Sequence, residues 1–407
     1  MNNMQRYFGL DVHKEKTVIV GVNQNQEVVM PAKQISTRAL LTWARINFRA
    51  GDKVALEATS NTWWLHDQLK ALPFEVDVLV ANAHKIKLIS SSRTKTDKHD
   101  ALVLAKLLAA NLIPQVWVPP LHVRELRRLV AHHRHLTRDR AAAKNRLHGL
   151  LYRYNLSLPQ GNPFHVDNQV WWDKLPVSSV EKMCIRHDLS FLQQLDIWIH
   201  EAEAEMARLS VQSPWREQVG FVMQLPGIAL QSAMTILSAI GEIERFPAAK
   251  QLVGYSGLGA SVYASGETHR TGGITKQGRR ELRKILIESA WSAVRYSPHW
   301  QRQYCQLTKR MDKNKAICVI ARKMLVVVWH VLSKRQADRF ADPQAIGRSF
   351  FNWGARHQLA TGLGLSRAQF VWQELDRIGF GQNMSEFRYN DRMVRRPTMP
   401  SVSISAA

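Results

Sequence analysis

The sequence has few cysteines, no long apolar run and a shortage of acidic side chains, and each of these narrows the class of protein. Its three cysteines, Cys184, Cys305 and Cys318, are far apart and form no CxxC or paired histidine spacing, so neither a disulfide framework nor a structural zinc site is expected. No apolar run reaches the roughly 18–20 residues of a membrane span, and the first residues lack a signal-peptide pattern. We therefore expect a cytoplasmic protein with no membrane partner.

The shortage of acid is large, because 33 Asp and Glu stand against 56 Lys and Arg and give a formal net charge of +23. With 407 residues, 45% of them hydrophobic, the chain is long enough for two or three domains with ordinary cores. Excess positive charge favours a polyanionic partner, since basic side chains displace the counterions of phosphates. Nucleic acid is the leading candidate, and a solvated basic surface without a partner is the alternative.

The first part of the chain predicts a mixed α/β sheet. Residues 6–30 have the pattern of three short strands, and KVALE (53–57) and EVDVLVA (75–81) are further strands that alternate with helical segments. Three strands followed by alternating helices and strands is the order of an RNase H-like, or RuvC-like, fold. Because Pro114, Pro119 and Pro120 close this unit, we expect a first domain over residues 1–118.

From residue 119 the hydrophobic period becomes helical. Two segments have apolar residues at alternating steps of three and four, the pattern of a coiled-coil seam. The first seam contains two polar residues and comprises Leu126, Leu129, His133, Leu136, Arg140, Ala143, Leu147 and Leu150. The second comprises Leu192, Leu195, Ile199, Ala202, Met206 and Leu209. We predict a basic helical coiled-coil arm over residues 119–215, either a hairpin or a dimerisation arm.

Residues 216–340 predict a mainly helical domain. MQLPGIALQSAMTILSAIG (223–241) has a Pro-Gly turn between helices, as in helix-hairpin-helix modules whose backbone N–H groups meet phosphates. A Gly- and Ser-rich loop then leads into a basic helix. Residues 341–407 form an extension with one predicted helix, SRAQFVWQELDRIGF (366–380), and a polar tail whose end we expect to be disordered.

Four carboxylates occupy positions from which they can converge. Asp11 ends the first strand, and Glu57 ends the strand that lies beside it in an RNase H-like sheet. Asp97 and Asp100 are three residues apart on a predicted helix and so share one face. Converging carboxylates repel unless divalent cations bind between them, so we expect one or two Mg²⁺ ions per site, with Mn²⁺ as a substitute, and chemistry on phosphates. Taken singly, Asp11 is also typical of a turn and Asp97 of a helix cap.

Basic residues flank these positions and continue along the chain. Lys85, Lys87, Arg93, Lys95 and Lys98 are predicted to guide a phosphate backbone to the metal, whereas His13 and His99 are treated as bystanders. The candidate nucleic-acid contacts on the arm are Arg127, Arg128, Arg134 and Arg138, and those in the following domain are Arg270, Lys276, Arg279, Arg280 and Arg283. We expect some of these side chains to have structural roles instead.

Together, these motifs resemble the IS110 family of insertion-sequence transposases, the DEDD recombinases related to Piv-type DNA invertases. The resemblance runs from about residue 6 to about residue 335 and is carried by GLDVHKE, LEATS, TKTDKHDA and the segment from LPGI to ITKQGRRELRKILIESAW. It implies a RuvC-like domain joined to a transposase domain with a nucleophilic serine, at the position of Ser265. The implied catalytic residues are Asp11, Glu57, Asp97, Asp100 and Ser265. The resemblance also implies homo-oligomers guided by a structured non-coding RNA, the bridge RNA, which pairs with donor and target DNA.

The residues alone leave the nucleophile open. A serine before glycine is most often a turn residue, and Ser256 and Ser261 compete with Ser265. A serine hydroxyl needs a base or a metal to activate it, and His269 is the only histidine close to Ser265 in sequence. The prediction is a recombinase that excises and inserts a mobile element. The alternatives are a DNA invertase of the same architecture, a metal-dependent junction nuclease in which water is the nucleophile, and a non-catalytic nucleic-acid-binding protein.

Overall fold

In the computed structural model, which describes residues 4–89, 96–159, 161–265 and 268–397, the chain divides into two units, Met1–Pro120 and Leu121–Ala407. The strands of the first unit are β1 (Tyr7–Val12), β2 (Lys16–Val22), β3 (Val28–Ser36), β4 (Lys53–Glu57) and β5 (Asp77–Ala81). Its helices are α1 (Leu40–Asn47), α2 (Thr62–Lys70), α3 (Ala83–Ile89) and α4 (Asp97–Ala109). The strand order is β3-β2-β1-β4-β5, antiparallel from β3 to β1 and parallel from β1 to β5. The predicted mixed sheet is confirmed.

Side-chain alternation along β1 gives the sheet two different faces, because successive residues of a strand point to opposite sides. Phe8, Leu10 and Val12 belong to the apolar core that includes residues of α1 and α2. Gly9 faces α4, and the same side of the sheet contributes Ala55 and Ala81 to a second apolar cluster with α4. Asp11, two residues after Gly9, therefore lies on the face that α4 covers.

The third strand is longer than the sequence analysis predicts. The predicted strand ends at Met30, but β3 continues through Pro31 to Ser36. This strand is at the edge of the sheet, and the proline falls in an irregular part of the register, between the pairs Gly21–Met30 and Ile19–Lys33. An edge position with disrupted pairing tolerates a residue that has no N–H.

The second unit begins with a helical hairpin. Its helices are α5 (Leu121–Arg153), the short α6 (Gln169–Asp173) and α7 (Ser179–Ser210). The two predicted seams share apolar clusters, so they pack against each other. The two polar residues of the first seam are paired across the hairpin: His133 Nε2 lies 3.2 Å from Glu203 Oε1, and Arg140 donates to Asp196 Oδ1 at 2.9 Å. Within one chain the arm is therefore a hairpin.

The rest of the second unit is mainly helical, as predicted. It contains α8 (Arg216–Met223), α9 (Leu230–Ile240), α10 (Ala249–Ser256), β6 (Ala260–Ser265), β7 (Thr268–Ile274), α11 (Arg280–Tyr296), α12 (Pro298–Thr308) and α13 (Lys313–Lys334). By length and composition alone α13 is able to cross a membrane, which the sequence analysis did not anticipate. Nine of its residues are buried, and it packs against α8, α10, α11 and α12. Its composition is therefore that of a central core helix.

The Pro-Gly turn between α8 and α9 is present, with Gly227 at φ +81°. A Cβ at this position would overlap the Ser289 carbonyl oxygen and crowd the backbone nitrogen of Ala293, both on α11. Glycine therefore permits both the left-handed backbone and the close packing of the turn on α11. Packing inside the protein accounts for this glycine without a phosphate contact.

The region beyond residue 340 contains more structure than the single helix predicted. That helix is present as α16 (Arg367–Arg377), together with α14 (Pro343–Ala355), α15 (Leu359–Gly362), β8 (Glu386–Tyr389) and β9 (Arg392–Arg395). Asp342 caps α14 by accepting from the backbone N–H of Gln344 at 3.0 Å, with Pro343 in the first turn, a start signal that the sequence analysis missed. The end of the tail, predicted to be disordered, lies outside the described residues.

Candidate active site

Asp11 and Glu57 stand next to each other at the ends of β1 and β4. The two strands are parallel and their last register pair is Leu10 with Leu56, so the next residue of each strand is a carboxylate. Neighbouring residues in register on parallel strands point to the same face. Asp11 is only 8% exposed, and Glu57 is half-buried. The register of the sheet thus brings these two carboxylates to one edge.

The first turn of α4 supplies Asp97 and Asp100. The helix starts there because Thr96 is extended and its hydroxyl accepts from the backbone N–H of His99 at 3.2 Å, which satisfies one of the unpaired donors at a helix start. The N-terminal end of a helix also carries partial positive charge, which favours acidic residues in this turn. Local capping therefore fixes where these two carboxylates begin the helix.

Gly9 sets how closely α4 approaches the sheet. A Cβ built on Gly9 would overlap the carbonyl oxygen of Ala101 and the backbone nitrogen of Ala105, both in α4. Neither backbone atom can move without moving the helix, so only glycine allows the observed packing. No local sequence pattern identifies Gly9, because the contact that requires it is tertiary.

His13 lies between two of the carboxylates, although the sequence analysis treats it as a bystander. Its Nε2 is 3.2 Å from Asp11 Oδ2 and 3.6 Å from Asp97 Oδ1. One ligand atom from each of the three residues lies within 4.8 Å of the other two. The signal that identifies His13 is its spacing: it directly follows β1, and continuing the strand's alternation by one residue places it on the same side as Asp11.

The pKa of Asp11 responds to the nearby charges of His13, Asp97 and Asp100. Burial raises the pKa of the Asp11 carboxyl, the charge and hydrogen bond of His13 lower it, and the negative charges of Asp97 and Asp100 raise it further, with a net rise. The pKa of Asp97 is instead lowered, chiefly by a hydrogen bond from Lys16 Nζ. Asp11 and Asp97 are therefore each sensitive to the charge of neighbouring groups.

The cluster has the donor set of a divalent-cation site. Carboxylate oxygens are the ligands that Mg²⁺ and Mn²⁺ prefer, and a buried carboxylate with like charges around it favours a cation. Asp11, Asp97 and Asp100 provide such oxygens, and Glu57 stands at the same edge. A divalent metal therefore fits these residues.

Three of the five basic residues predicted around this site are within the described part of the chain, and two are not. Lys85 and Lys87 are exposed on α3, and Lys98 is exposed on the first turn of α4. Arg93 and Lys95 lie outside the described residues. The three exposed lysines are available to a phosphate backbone.

In the second unit, Ser265 is the last residue of β6. It pairs with Thr268 of β7, and the two strands form a separate two-stranded hairpin. All six residues of β6 are exposed, so the serine hydroxyl is open to a large substrate. His269 pairs with the preceding residue, Ala264, and strand alternation directs it to the opposite face of the hairpin from Ser265.

The two competing serines have structural hydrogen bonds. Ser256 is fully buried, and its hydroxyl donates to the Val253 carbonyl at 2.7 Å at the end of α10. Ser261 lies on β6 and donates across the hairpin to the Gly273 carbonyl at 3.1 Å. These contacts favour Ser265 over both alternatives.

The candidate nucleic-acid contacts of the second unit separate into two groups. One group contacts protein atoms: Arg127 donates to the Ser238 and Ala239 carbonyls, Arg134 pairs with Glu281, Arg138 with Asp139, Arg279 donates to the Tyr255 hydroxyl, and Arg283 to the Ser256 carbonyl. The other group is exposed and comprises Arg128, Arg270, Lys276 and Arg280. For these four, no carboxylate among the described residues lies within ion-pair distance.

Arginines from distant parts of the second unit converge on Tyr255. Burial by itself raises the pKa of Tyr255, but the charge and hydrogen bond of Arg279 and the charges of Arg245 and Arg127 outweigh it, so the pKa is lowered. Burial in turn lowers the pKa of Arg127 to about 10. Positive charge is thus concentrated where α5, α10 and the start of α11 meet.

Two family models match this chain. The model DEDD_Tnp_IS110, described as a transposase, matches residues 8–156, which include all four carboxylates. A second model, described as the transposase IS116/IS110/IS902 family, matches residues 220–305, which include Ser265. Together the two models cover more than half of the chain.

The chain is also similar to proteins with related names. A putative transposase, y4rJ, from Sinorhizobium fredii is 27% identical over 68% of this chain and 76% of its own length. The transposase for insertion sequence element IS1111A from Coxiella burnetii is 21% identical over 82% of this chain and 91% of its own length. A pilin gene-inverting protein from Moraxella bovis is 25% identical over 81% of this chain and 96% of its own length.

Proposed function

The chain belongs to the IS116/IS110/IS902 family of transposases, and on this premise we propose that it excises and inserts an insertion sequence by cleaving and exchanging DNA strands. The observation that carries the proposal is the convergence of Asp11, Asp97 and Asp100, with Glu57 in register beside Asp11. Phosphodiester cleavage with divalent cations requires a cluster of carboxylates that holds the cations in place.

We infer that Asp11, Glu57, Asp97 and Asp100 hold one or two Mg²⁺ ions, with Mn²⁺ as a substitute. A bound metal supplies a Lewis acid that polarises a phosphodiester oxygen. His13 and Lys16 contact Asp11 and Asp97 and so control how much negative charge the cluster presents. The lysines on α3 and α4 attract the DNA backbone toward the same edge of the sheet.

Ser265 is the proposed nucleophile. Its Oγ forms a bond to phosphorus as the bond from phosphorus to one deoxyribose oxygen breaks, so that one phosphoester replaces another. The serine proton passes to a base, and the departing oxygen gains a proton. Because His269 faces the other side of the hairpin from Ser265, it is not the proposed base. A hydroxyl of a second strand then reverses the step and completes strand exchange.

We further propose that the partners are element-end and target DNA, a structured bridge RNA and other copies of the chain. The net charge of +23 supports polyanionic partners. In this proposal residues 1–118 are a RuvC-like domain, 119–215 a helical arm, 216–340 a transposase domain with a helix-hairpin-helix-like element, and 341–407 an extension. The site of action is the cytoplasm.

The relatives named pilin gene-inverting protein favour a second candidate function. In that case the same residues invert a DNA segment between two sites and release no element. A DNA substrate with two inverted recombination sites separates the two, because inversion retains the intervening segment and excision removes it.

A covalent intermediate tests the proposal. The full-length protein is incubated with Mg²⁺, the RNA that copurifies from its native host, and labelled element-end DNA, and a denaturation-resistant protein–DNA adduct is sought. We expect an adduct with the wild type and with the matched control Ser261→Ala, which removes another exposed serine of the same strand, and none with Ser265→Ala. DNA cleavage that forms no adduct and is unchanged in Ser265→Ala would overturn serine chemistry and indicate a metal-dependent nuclease.

A further inference from the structure

A cavity of about 590 Å³ in the second unit lies outside the chemistry proposed above. Its walls include His299 and Gln303 from α12, Lys323 and Lys334 from α13, and Arg339 and Phe340 from the segment after α13. The volume falls in the range of roughly 300–1,000 Å³ that is typical of small-ligand sites. None of these residues was among the candidates of the sequence analysis.

One wall of the cavity is a stack of planar groups. The rings of His299 and Phe340 are stacked, with centroids 4.0 Å apart and planes 22° from parallel, and the guanidinium of Arg339 lies 4.6 Å from the Phe340 centroid. Burial lowers the pKa of His299, which favours the neutral form of its ring. Phe340 remains 49% exposed. Exposed aromatic and guanidinium planes are the surfaces on which unpaired bases stack.

The orientation of His299 is fixed by a hydrogen-bonded chain. Lys323 Nζ donates to Gln303 Oε1 at 2.6 Å, and Gln303 Nε2 donates to His299 Nε2 at 2.7 Å. Because the lysine holds the amide oxygen, the amide nitrogen must point to the histidine ring. The His299 ring of the stack is therefore positioned before any ligand arrives, which reduces the entropy lost on binding.

The cavity is also strongly basic. Arg322, Lys323, Lys334 and Arg339 line it and are exposed, and Asp338 is the one carboxylate among its lining residues. Within the part of the chain that the structure describes, none of the four cations lies within ion-pair distance of a carboxylate. Cations next to a planar stack match a phosphate next to a base, since phosphates are bound by lysine and arginine.

We propose that this cavity binds one unstacked nucleotide of a single-stranded nucleic acid, with its base on the stack of His299 and Phe340 and its flanking phosphates on Arg322, Lys323 and Lys334. A duplex is a poor ligand because the faces of its bases are covered by neighbouring base pairs. The site requires neither the carboxylate cluster nor Ser265, so it goes beyond the proposed function and is tested without strand cleavage.

Fluorescence of 2-aminopurine, which is quenched when the base stacks, tests the stack directly. Single-stranded DNA and RNA oligonucleotides of the same sequence, each with one 2-aminopurine, are titrated with full-length protein without divalent cations. Phe340→Ala should abolish the quenching and weaken binding roughly tenfold, because stacking on one aromatic side chain contributes that much, while Phe340→Tyr should retain both.

The matched control is Tyr296→Ala, which removes an exposed aromatic that also has an arginine over its ring but does not line the cavity. It should bind and quench like the wild type. Circular dichroism of each variant checks the fold. Equal behaviour of Phe340→Ala and Tyr296→Ala, or a duplex that competes as well as the single strand, would overturn the proposal.

The charge of the cavity is tested by salt dependence. Lys334→Ala should weaken binding and make the slope of log affinity against log salt shallower by about 0.7, the value for one phosphate contact on a single strand. Phe340→Ala should leave that slope unchanged, and so should the control Lys250→Ala, an exposed lysine outside the cavity. An unchanged slope in Lys334→Ala would contradict the phosphate contact. Tighter binding of RNA or of DNA identifies which nucleic acid supplies the nucleotide.

Discussion

Asp11 is 8% exposed and lies on the face of the sheet covered by α4, whereas Ser265 stands on a two-stranded hairpin whose first strand is exposed along its whole length. A five-stranded sheet and a capped helix hold Asp11 and the other carboxylates. Ser265 is held by the pairing of two strands that are separate from any larger sheet.

In the proposed mechanism, this difference matches the separate tasks of the carboxylates and of Ser265. Carboxylates that repel one another stay together only if a rigid scaffold fixes them, and the same rigidity selects cations by their coordination. A serine that attacks a polymer must instead reach the phosphate, so exposure is an advantage. The carboxylate site should therefore be sensitive to small changes in packing, and the serine hairpin should tolerate them.

The largest expected effect is on chemistry at the carboxylate site. Asp11→Ala should lower strand transfer by at least about 100-fold, because the loss of even an outer partner of a metal ligand costs 10–100-fold. RNA binding, measured by gel shift, should be unchanged. Asp77→Ala, which removes an exposed carboxylate from the start of β5, is the control and should retain both activities. Equal loss of transfer and RNA binding in Asp11→Ala would show that Asp11 supports the fold instead.

Packing at Gly9 should show the next largest effect. Gly9→Ala forces α4 away from β1 and should destabilise the first unit by about 1–3 kcal/mol, the usual cost of overpacking. Faster hydrogen exchange of α4 amides measures this loss. Gly254→Ala is the matched control in the second unit, since a Cβ at that helical position meets nothing within 4 Å, and it should be neutral or slightly stabilising. Equal protection of α4 in both variants would contradict the role of Gly9.

The raised pKa of Asp11 gives a smaller, pH-dependent effect. In the pH range between the usual aspartate pKa and the raised one, the folded protein holds a proton that the unfolded chain has lost, so stability falls as pH rises through that range. Asp11→Asn removes this pH-dependent loss of stability, because an amide does not titrate. Without divalent cations, the variant should melt at a higher temperature than the wild type at neutral pH, and the difference should shrink below pH 3.8, the usual value. A variant less stable at neutral pH would contradict the pKa direction.

The smallest effect is expected at the serine. Ser265→Ala should change the free energy of unfolding by less than about 0.5 kcal/mol, as exposed substitutions usually do, although the variant should form no DNA adduct. Thermal unfolding of both proteins measures this directly. A clear loss of stability would show that the hydroxyl is part of the packing and would remove the contrast with Asp11.

Much of the first site was readable from the sequence. Asp11 and Glu57 were identified from their positions at predicted strand ends, and Asp97 and Asp100 from their spacing of three residues on a predicted helix. Both inferences depend only on local periodicity. His13 was missed although its spacing from Asp11 was visible. Gly9 depends on how closely a distant helix approaches, and no local pattern reports that distance.

The side-chain contacts of the second unit were harder to predict from the sequence. Adjacent arginines such as Arg127 and Arg128 look alike in sequence, but the first donates to carbonyl groups at the end of α9 and the second is exposed. The stack of His299 and Phe340 joins residues about forty positions apart. Such contacts follow from tertiary packing, which single-sequence patterns do not encode.

The most direct test of the central claim, that the four carboxylates form a divalent-cation site, is an Mn²⁺ titration of the full-length protein followed by electron paramagnetic resonance. Wild type and the control Asp77→Asn should bind one or two Mn²⁺ ions that Mg²⁺ displaces, and Asp11→Asn should lose this binding. Equal Mn²⁺ binding in all three proteins would contradict the account.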